Sequence, residues 1–282
     1  MSGVLEFYAK HSQLIDQIGI NAVLALSLSV SLQAGQLALA QAAFMGIAAY
    51  VSAILAMNAH WPLVATIAAG IAASTLVAAA LAFPLRRLRG IFLAIATVGF
   101  GEIVRVFANN LTITGGAEGI SGIPNDATTP VIYGSLALVV LALVVLSRTK
   151  FALAVTLVRE DEHAAQGVGV DVGAIRTLSL ALGGAIAGLG GALYAHAAFF
   201  IAPGDFGFAR MEEILVWCVV GGVTSPLGAV LGAALLSILP EAIRFLADYR
   251  EVTDGIILLA VILFFPDGIA SLWRRGAVRV KS

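Results

Sequence analysis

"PLVATIAAGIAASTLVAAALAF", residues 62–83, carries no charged side chain. A helix needs roughly 20 apolar residues at 1.5 Å each to cross the hydrocarbon core of a bilayer, so this run is long enough to span one. Lipid offers no partner to a free backbone N–H or C=O, which makes a helix the only form such an isolated run can take. Working outward, residues 130–147 and 175–197 are equally clear. Less regular runs lie at 14–32, 37–57, 91–109, 211–222, 226–243 and 252–266. The spacing predicts an all-α, polytopic transmembrane bundle of about nine helices, with a range of eight to ten.

Composition agrees with this. Apolar residues make up 60% of the 282, charged residues 12%, and mean hydropathy is +0.99. A formal net charge of −1 leaves no footprint for nucleic acid. Cys218 is the one cysteine and lies in an apolar run, where an inert buried thiol is expected. Glu6, Lys10 and Asp16 precede the first long apolar run, a pattern unlike a cleavable signal peptide. The chain reads as a single membrane domain over 1–282. Trp61, Tyr133, Tyr249 and Trp273 fall near expected helix ends, as interfacial aromatics do.

Lys and Arg in short loops set orientation. Arg86, Arg87 and Arg89 share one loop, Arg148, Lys150, Arg159 and Arg176 bracket a second, and Arg274, Arg275, Arg279 and Lys281 lie near residue 282. In a nine-helix arrangement all three regions fall on one side, taken as cytoplasmic together with the C-terminus. The loop at 109–130 has no Lys or Arg and is placed outside.

The cytoplasmic stretch "LVREDEHAAQGVGVD", 157–171, concentrates charge in an apolar chain. Thr156 is expected to cap a short helix whose first turns hold Glu160, Asp161 and Glu162, where carboxylates favour the positive end of the helix dipole. Ala164 and Ala165 propagate it, and Gly167 and Gly169 end it. The alternative is a solvated connector between spans.

Within the membrane, Glu102 and Arg105 share a helix face, either on a translocation path or as a structural pair near the outer end. Gly184, Ala187, Gly188 and Gly191 carry the small-residue spacing of close helix packing. Apolar runs break at Gly35-Gln36 and at Gly221-Gly222, and broken segments in two halves of a transporter point to its path; two ordinary tight turns are the alternative. His11, His60, His163 and His196 are too dispersed for a metal site. Asp205, in "PGDF", reads as a turn or cap. No G-x-x-x-x-G-K-[ST] occurs, and no nucleophile with its base is visible.

The run Arg159, Glu160, Asp161, Glu162, Ala164, Ala165, Gly169 resembles the cytoplasmic "EAA" loop of ABC importer permeases. It is most similar to that of the branched-chain amino-acid (LivM-type) permease family, with Asp161, Val170 and Asp171 in place of the family's Asn, Ile and Asn. The resemblance covers about 30–270: "AGQLALAQAAFMGIAAY" (34–50), "LRGIFLAIATVGFGEIVR" (88–105), "LTITGGAEGISGIP" (111–124), "SLALGGAIAGLGGALYA" (179–195), "VVGGVTSPLGAVLGA" (219–233) and "FFPDGI" (264–269). Ala38, Ala40, Ala48, Thr224 and Phe265 depart from the family pattern. It implies a bacterial inner-membrane permease subunit, not an enzyme, that carries branched-chain or other amino acids, or urea and short amides. The 148–174 region would couple to two cytoplasmic ATPases, which bind the ATP. A second, homologous permease and an extracytoplasmic solute-binding protein complete the implied assembly. An ATP-independent channel or secondary transporter is the competing class.

Overall fold

A computed structural model of the chain describes residues 2–222 and 225–242. The expected helix at 252–266, the "FFPDGI" motif, Thr224 and the basic residues Arg244, Arg250, Arg274, Arg275, Arg279 and Lys281 lie outside the described residues, as does the C-terminal side assignment.

Helices form where the apolar runs predict them: α1 (Ser2–Gln33), α2 (Gln41–Ala59), α3 (Leu63–Leu85), α4 (Gly90–Asn110), α5 (Thr129–Leu146), α8 (Val172–Ala198), α9 (Phe208–Gly221) and α10 (Pro226–Ala242). Between α5 and α8 lie two non-spanning helices, α6 (Lys150–Glu160) and α7 (Glu162–Gly167). Six of these helices are long and apolar enough to cross a membrane. The nine-helix expectation counted α9 and α10 as two more spans. α9 is 14 residues long, about 21 Å and short of the roughly 30 Å hydrocarbon core, and α10 is described over 17 residues, up to the last described residue, Ala242. Their axes bend by 119° at the break, and counted as one bent span they bring the described residues to seven, so the count of nine is not confirmed.

α1, α2 and α8 form the centre. Their side chains fill the main apolar cluster, which includes Leu24, Met45 and Leu193, all fully buried. Asn21 on α1 donates to Ser237 Oγ on α10 at 2.9 Å. Cys218 is buried in the same cluster and unbonded to any other cysteine. α5 is peripheral: 11% of its apolar window is buried inside the chain against 67% for α1 and α8. Its outward face, with Leu138, Leu141 and Val145, is apolar and exposed.

The two ends differ in chemistry. At one, the residues at 111–128 are pinned: Ile120–Ser121 pair antiparallel with Phe200–Ile201, two short strands that no alternating pattern announced. His196 Nδ1 lies 3.0 Å from the Pro124 carbonyl and its Nε2 3.0 Å from Ser52 Oγ, fastening this loop to α8 and α2. Asp205 accepts the Ala202 N–H at 2.9 Å, the capping role expected of it. Thr129 donates to Asp16 at 2.6 Å, which places the Asp16 level of α1 at this end as well. The opposite end gathers Arg86, Arg87, Arg89, Arg148, Lys150, Arg159 and Arg176 around α6 and α7, and is called the basic end below.

Candidate functional site

The junction at the basic end is built on Asp161 and Glu162. Thr156 does not cap a helix as expected: it lies within α6 and donates to the Ala152 carbonyl at 3.0 Å. The chain instead breaks at Asp161, which is extended at φ −154° and accepts the N–H groups of His163 at 2.8 Å and Ala164 at 3.0 Å. A carboxylate that satisfies two free amides outcompetes continuation of α6, so one expected helix becomes two. α7 ends in a Schellman turn, with Val170 N–H donating to Ala165 O and Gly169 N–H to Gln166 O, and Gly169 takes the left-handed φ of +82° that this turn requires.

Those amides, Ala164 first and His163 second, hold the Asp161 carboxyl below its ordinary value. Such a group stabilises α7 fully above the ordinary carboxylate value, and the contribution fades as pH falls through the lower folded-state value. In Asp161→Ala, amide hydrogen exchange at His163 and Ala164 is expected to speed up at neutral pH, whereas Asp161→Asn retains a capping oxygen and most of the protection. Equal protection in all three proteins would show that the cap does not hold α7.

Glu162 turns inward. Its Oε1 pairs with Arg176 on α8 and its Oε2 lies 2.8 Å from Arg89 Nη2, just ahead of α4. The Glu162 side chain is 18% exposed and that of Arg176 9%, so the pair is largely removed from water. Arg86 Nε donates to Thr177 Oγ1 at 3.0 Å, tying the α3–α4 turn to the same part of α8. Ala165 is buried with Val158 and Val172, while Ala164 is exposed. Arg159 and Glu160 pair with each other at 2.7 Å on the surface. The motif therefore has two faces: Glu162 and Ala165 hold the element to the bundle, and Glu160, Ala164, Leu157 and Val168 remain outward, Val168 at 71% exposure.

Gly35 belongs to this junction. Its φ is +70°, and a Cβ there would lie 3.5 Å from Arg159 Cα, so the break between α1 and α2 packs against the end of α6. Gln36 is buried beside it. Glu102 and Arg105, in contrast, lie toward the opposite end, paired at 2.7 Å and each more than a third exposed. Glu102 lines a small cleft with Leu39, Ala43, Phe206 and Met211. Gly222 has φ +108° at the α9–α10 break, and Gly221 meets the Gly228 backbone across it.

Residues 12–266 match the family described as branched-chain amino acid transport system / permease component. The chain belongs to this permease family. It is 33% identical to the high-affinity branched-chain amino acid transport system permease protein LivM of Escherichia coli (strain K12), over 91% of this chain and 67% of that protein. Identity to LivM of Salmonella typhimurium is 32% over the same shares. The autoinducer 2 import system permease protein LsrC of Yersinia enterocolitica is 27% identical, over 55% of this chain and 48% of that protein. No solved structure matches.

As a member of a transport permease family, and not an enzyme family, the chain is a multi-pass membrane protein. The residues expected for ATPase coupling stay together, while those expected on a pathway divide between two places in this permease. Arg159 through Gly169 and Gly35 meet at the basic end, while Glu102, Arg105 and the α9–α10 break are elsewhere. Arg89 and Arg176 were visible only as loop charges. Nothing in a sequence period relates Glu162 to a partner 14 residues on and another 73 residues back, so their role as its counter-ions was not legible.

Proposed function

We propose that this permease is the membrane-spanning subunit of an ATP-driven importer for branched-chain amino acids. α6 and α7, within the 148–174 region, would receive the stroke of two cytoplasmic ATPases. The observation that carries this reading is the Glu162 clamp: one carboxylate links a non-spanning helix to the heads of both α4 and α8. A displacement of α7 then moves two spanning helices at once, and α6, whose Arg159 packs against Gly35, reaches the α1–α2 break. ATP would bind the partner subunits, since this chain has no phosphate-cradling loop. Nucleotide shifts the ATPases between two states, and the clamp gives the bundle a matching pair.

The basic end is taken as cytoplasmic from its Lys and Arg. The 109–130 region, with the Glu102 cleft beneath it, would then face an extracytoplasmic solute-binding protein. A homologous second permease would cover the outward face of α5. The names of the LivM relatives support a branched-chain amino acid as the solute, and a net-neutral pair such as Glu102–Arg105 is compatible with a zwitterion. The test is purification in mild detergent followed by reconstitution with the co-purifying ATPases and binding protein. Leucine uptake that requires ATP inside or outside the vesicle on the basic-end side is expected; transport by this chain alone without ATP would overturn the reading.

A further inference from the structure

α1, α2 and α8 enclose a group of polar side chains in the half of the bundle nearest the basic end. Ser27, Ser31 and Ser179 are fully buried, Gln41 is 1% exposed and Gln36 7%. They converge on Gly183: a Cβ there would lie 2.9 Å from both the Ser27 carbonyl and Ser31 Oγ, and 3.9 Å from Gln41 Nε2. Ser179 is one turn earlier on the same face of α8. Gln36 joins through its backbone N–H, which donates to the Ser31 carbonyl at 3.1 Å.

These groups do not satisfy one another. Ser27 Oγ donates to the Leu24 carbonyl at 2.6 Å, and Gln41 Nε2 reaches Ser31 Oγ at 3.4 Å. Gln36 Oε1, Gln41 Oε1 and Ser179 Oγ have no hydrogen-bond partner among the described residues. Each buried orphan is destabilising, and lipid supplies no donor to relieve it. Two of the three are amide carbonyls, so the missing chemistry is a small donor. No acidic side chain stands among them to neutralise a full cation, which leaves water as the fit for the three unpaired polar atoms.

We propose that the Ser31–Gln36–Gln41–Ser179 cluster is a hydrated station on the inner part of the translocation path. It rests on the permease reading above. Its place next to Gly35, which packs on Arg159, puts the water under the control of α6: a shift of that helix opens or closes the station. A purely structural polar cluster would be fully paired within itself, and this one leaves three polar atoms over.

Cysteine labelling in membranes tests it. In a Cys218→Ala background, Ser179→Cys is compared with Ala187→Cys, two turns further along α8, fully buried and in an apolar cluster. A water-soluble thiosulfonate is expected to label Ser179→Cys roughly tenfold faster or more, since a dry thiol raised one unit holds about a tenth of the thiolate. Equally slow labelling of both overturns the station, while ATP-driven uptake by the Cys218→Ala parent leaves the permease reading intact. Gln41→Leu supplies a second readout. It removes an orphan acceptor, so its thermal midpoint is expected to stay level or rise while uptake falls roughly tenfold. A lowered midpoint with unchanged uptake would make Gln41 a structural residue and sink the proposal.

Discussion

Glu162→Arg is expected to abolish ATP-driven uptake and to lower the thermal midpoint of the detergent-purified protein. The substitution leaves every spanning segment untouched, so membrane insertion survives. It does, however, bring three guanidinium groups together, with Arg176 almost wholly buried and now without its counter-charge. Removing one partner of a buried ion pair costs roughly 3–5 kcal/mol, mostly through the charge left behind. Because Arg89 is well exposed and can turn to water, the lower end, about 3 kcal/mol, is expected. Glu162→Gln keeps the shape and one acceptor oxygen and should show a smaller loss in the same direction. Glu160→Gln is the control for stability: its pair with Arg159 is exposed and worth under about 1 kcal/mol. If Glu162→Arg matched Glu160→Gln in midpoint, the clamp would carry no load and the coupling route through α4 and α8 would fail.

Gly191→Ala is expected to cost about 3 kcal/mol, the upper end for an overpacked core, read as a fall in thermal midpoint. α8 crosses α2 at Gly191 with no room for a methyl group. A Cβ there would fall on the Met45 carbonyl oxygen and lie 2.9 Å from Met45 Cα, both backbone atoms that no side-chain rotation can move. Helices in lipid associate by such close backbone approach, so parting them loosens the contact that organises the centre of the bundle. Gly99→Ala on α4 and Gly134→Ala on α5 meet nothing within 4 Å. Those two should change the midpoint by no more than about 0.5 kcal/mol equivalent. A Gly191→Ala protein as stable as these would mean that α2 and α8 do not pack as described.

The spanning helices were legible because hydropathy over 20 residues measures the property that membrane insertion selects. The run at 62–83 is α3 to within two residues, and the clear run at 130–147 is α5 to within one. What hydropathy does not measure is direction. It marks α9 and α10 as apolar but carries nothing of the 119° angle between them, which falls at a break where Gly222 takes φ +108° and Gly221 lies against the Gly228 backbone.

The candidate site was legible in its location and in its ending at Gly169, but not in its wiring. Read as a string, Glu160, Asp161 and Glu162 are three similar charges at the head of a helix. In the fold the first is a surface partner of Arg159, the second a cap and the third a clamp to two other helices. That sorting depends on contacts across turns, for which no local period exists. Gly35 changed role for the same reason: its break was seen, and its neighbour Arg159, 124 residues away in sequence, was not.

The central claim is that the outward face of α6 and α7 meets an ATPase, and photo-crosslinking from position 168 tests it most directly. Val168 is 71% exposed at the end of α7 and points away from the Glu162 clamp's apolar support, so a benzoylphenylalanine there should leave the permease folded and active. In membranes that hold the assembled transporter, irradiation is expected to join this chain to a nucleotide-binding polypeptide, with a yield that changes when ATP is trapped. Crosslinks to lipid or to this chain alone, in a preparation that still transports, would contradict the account.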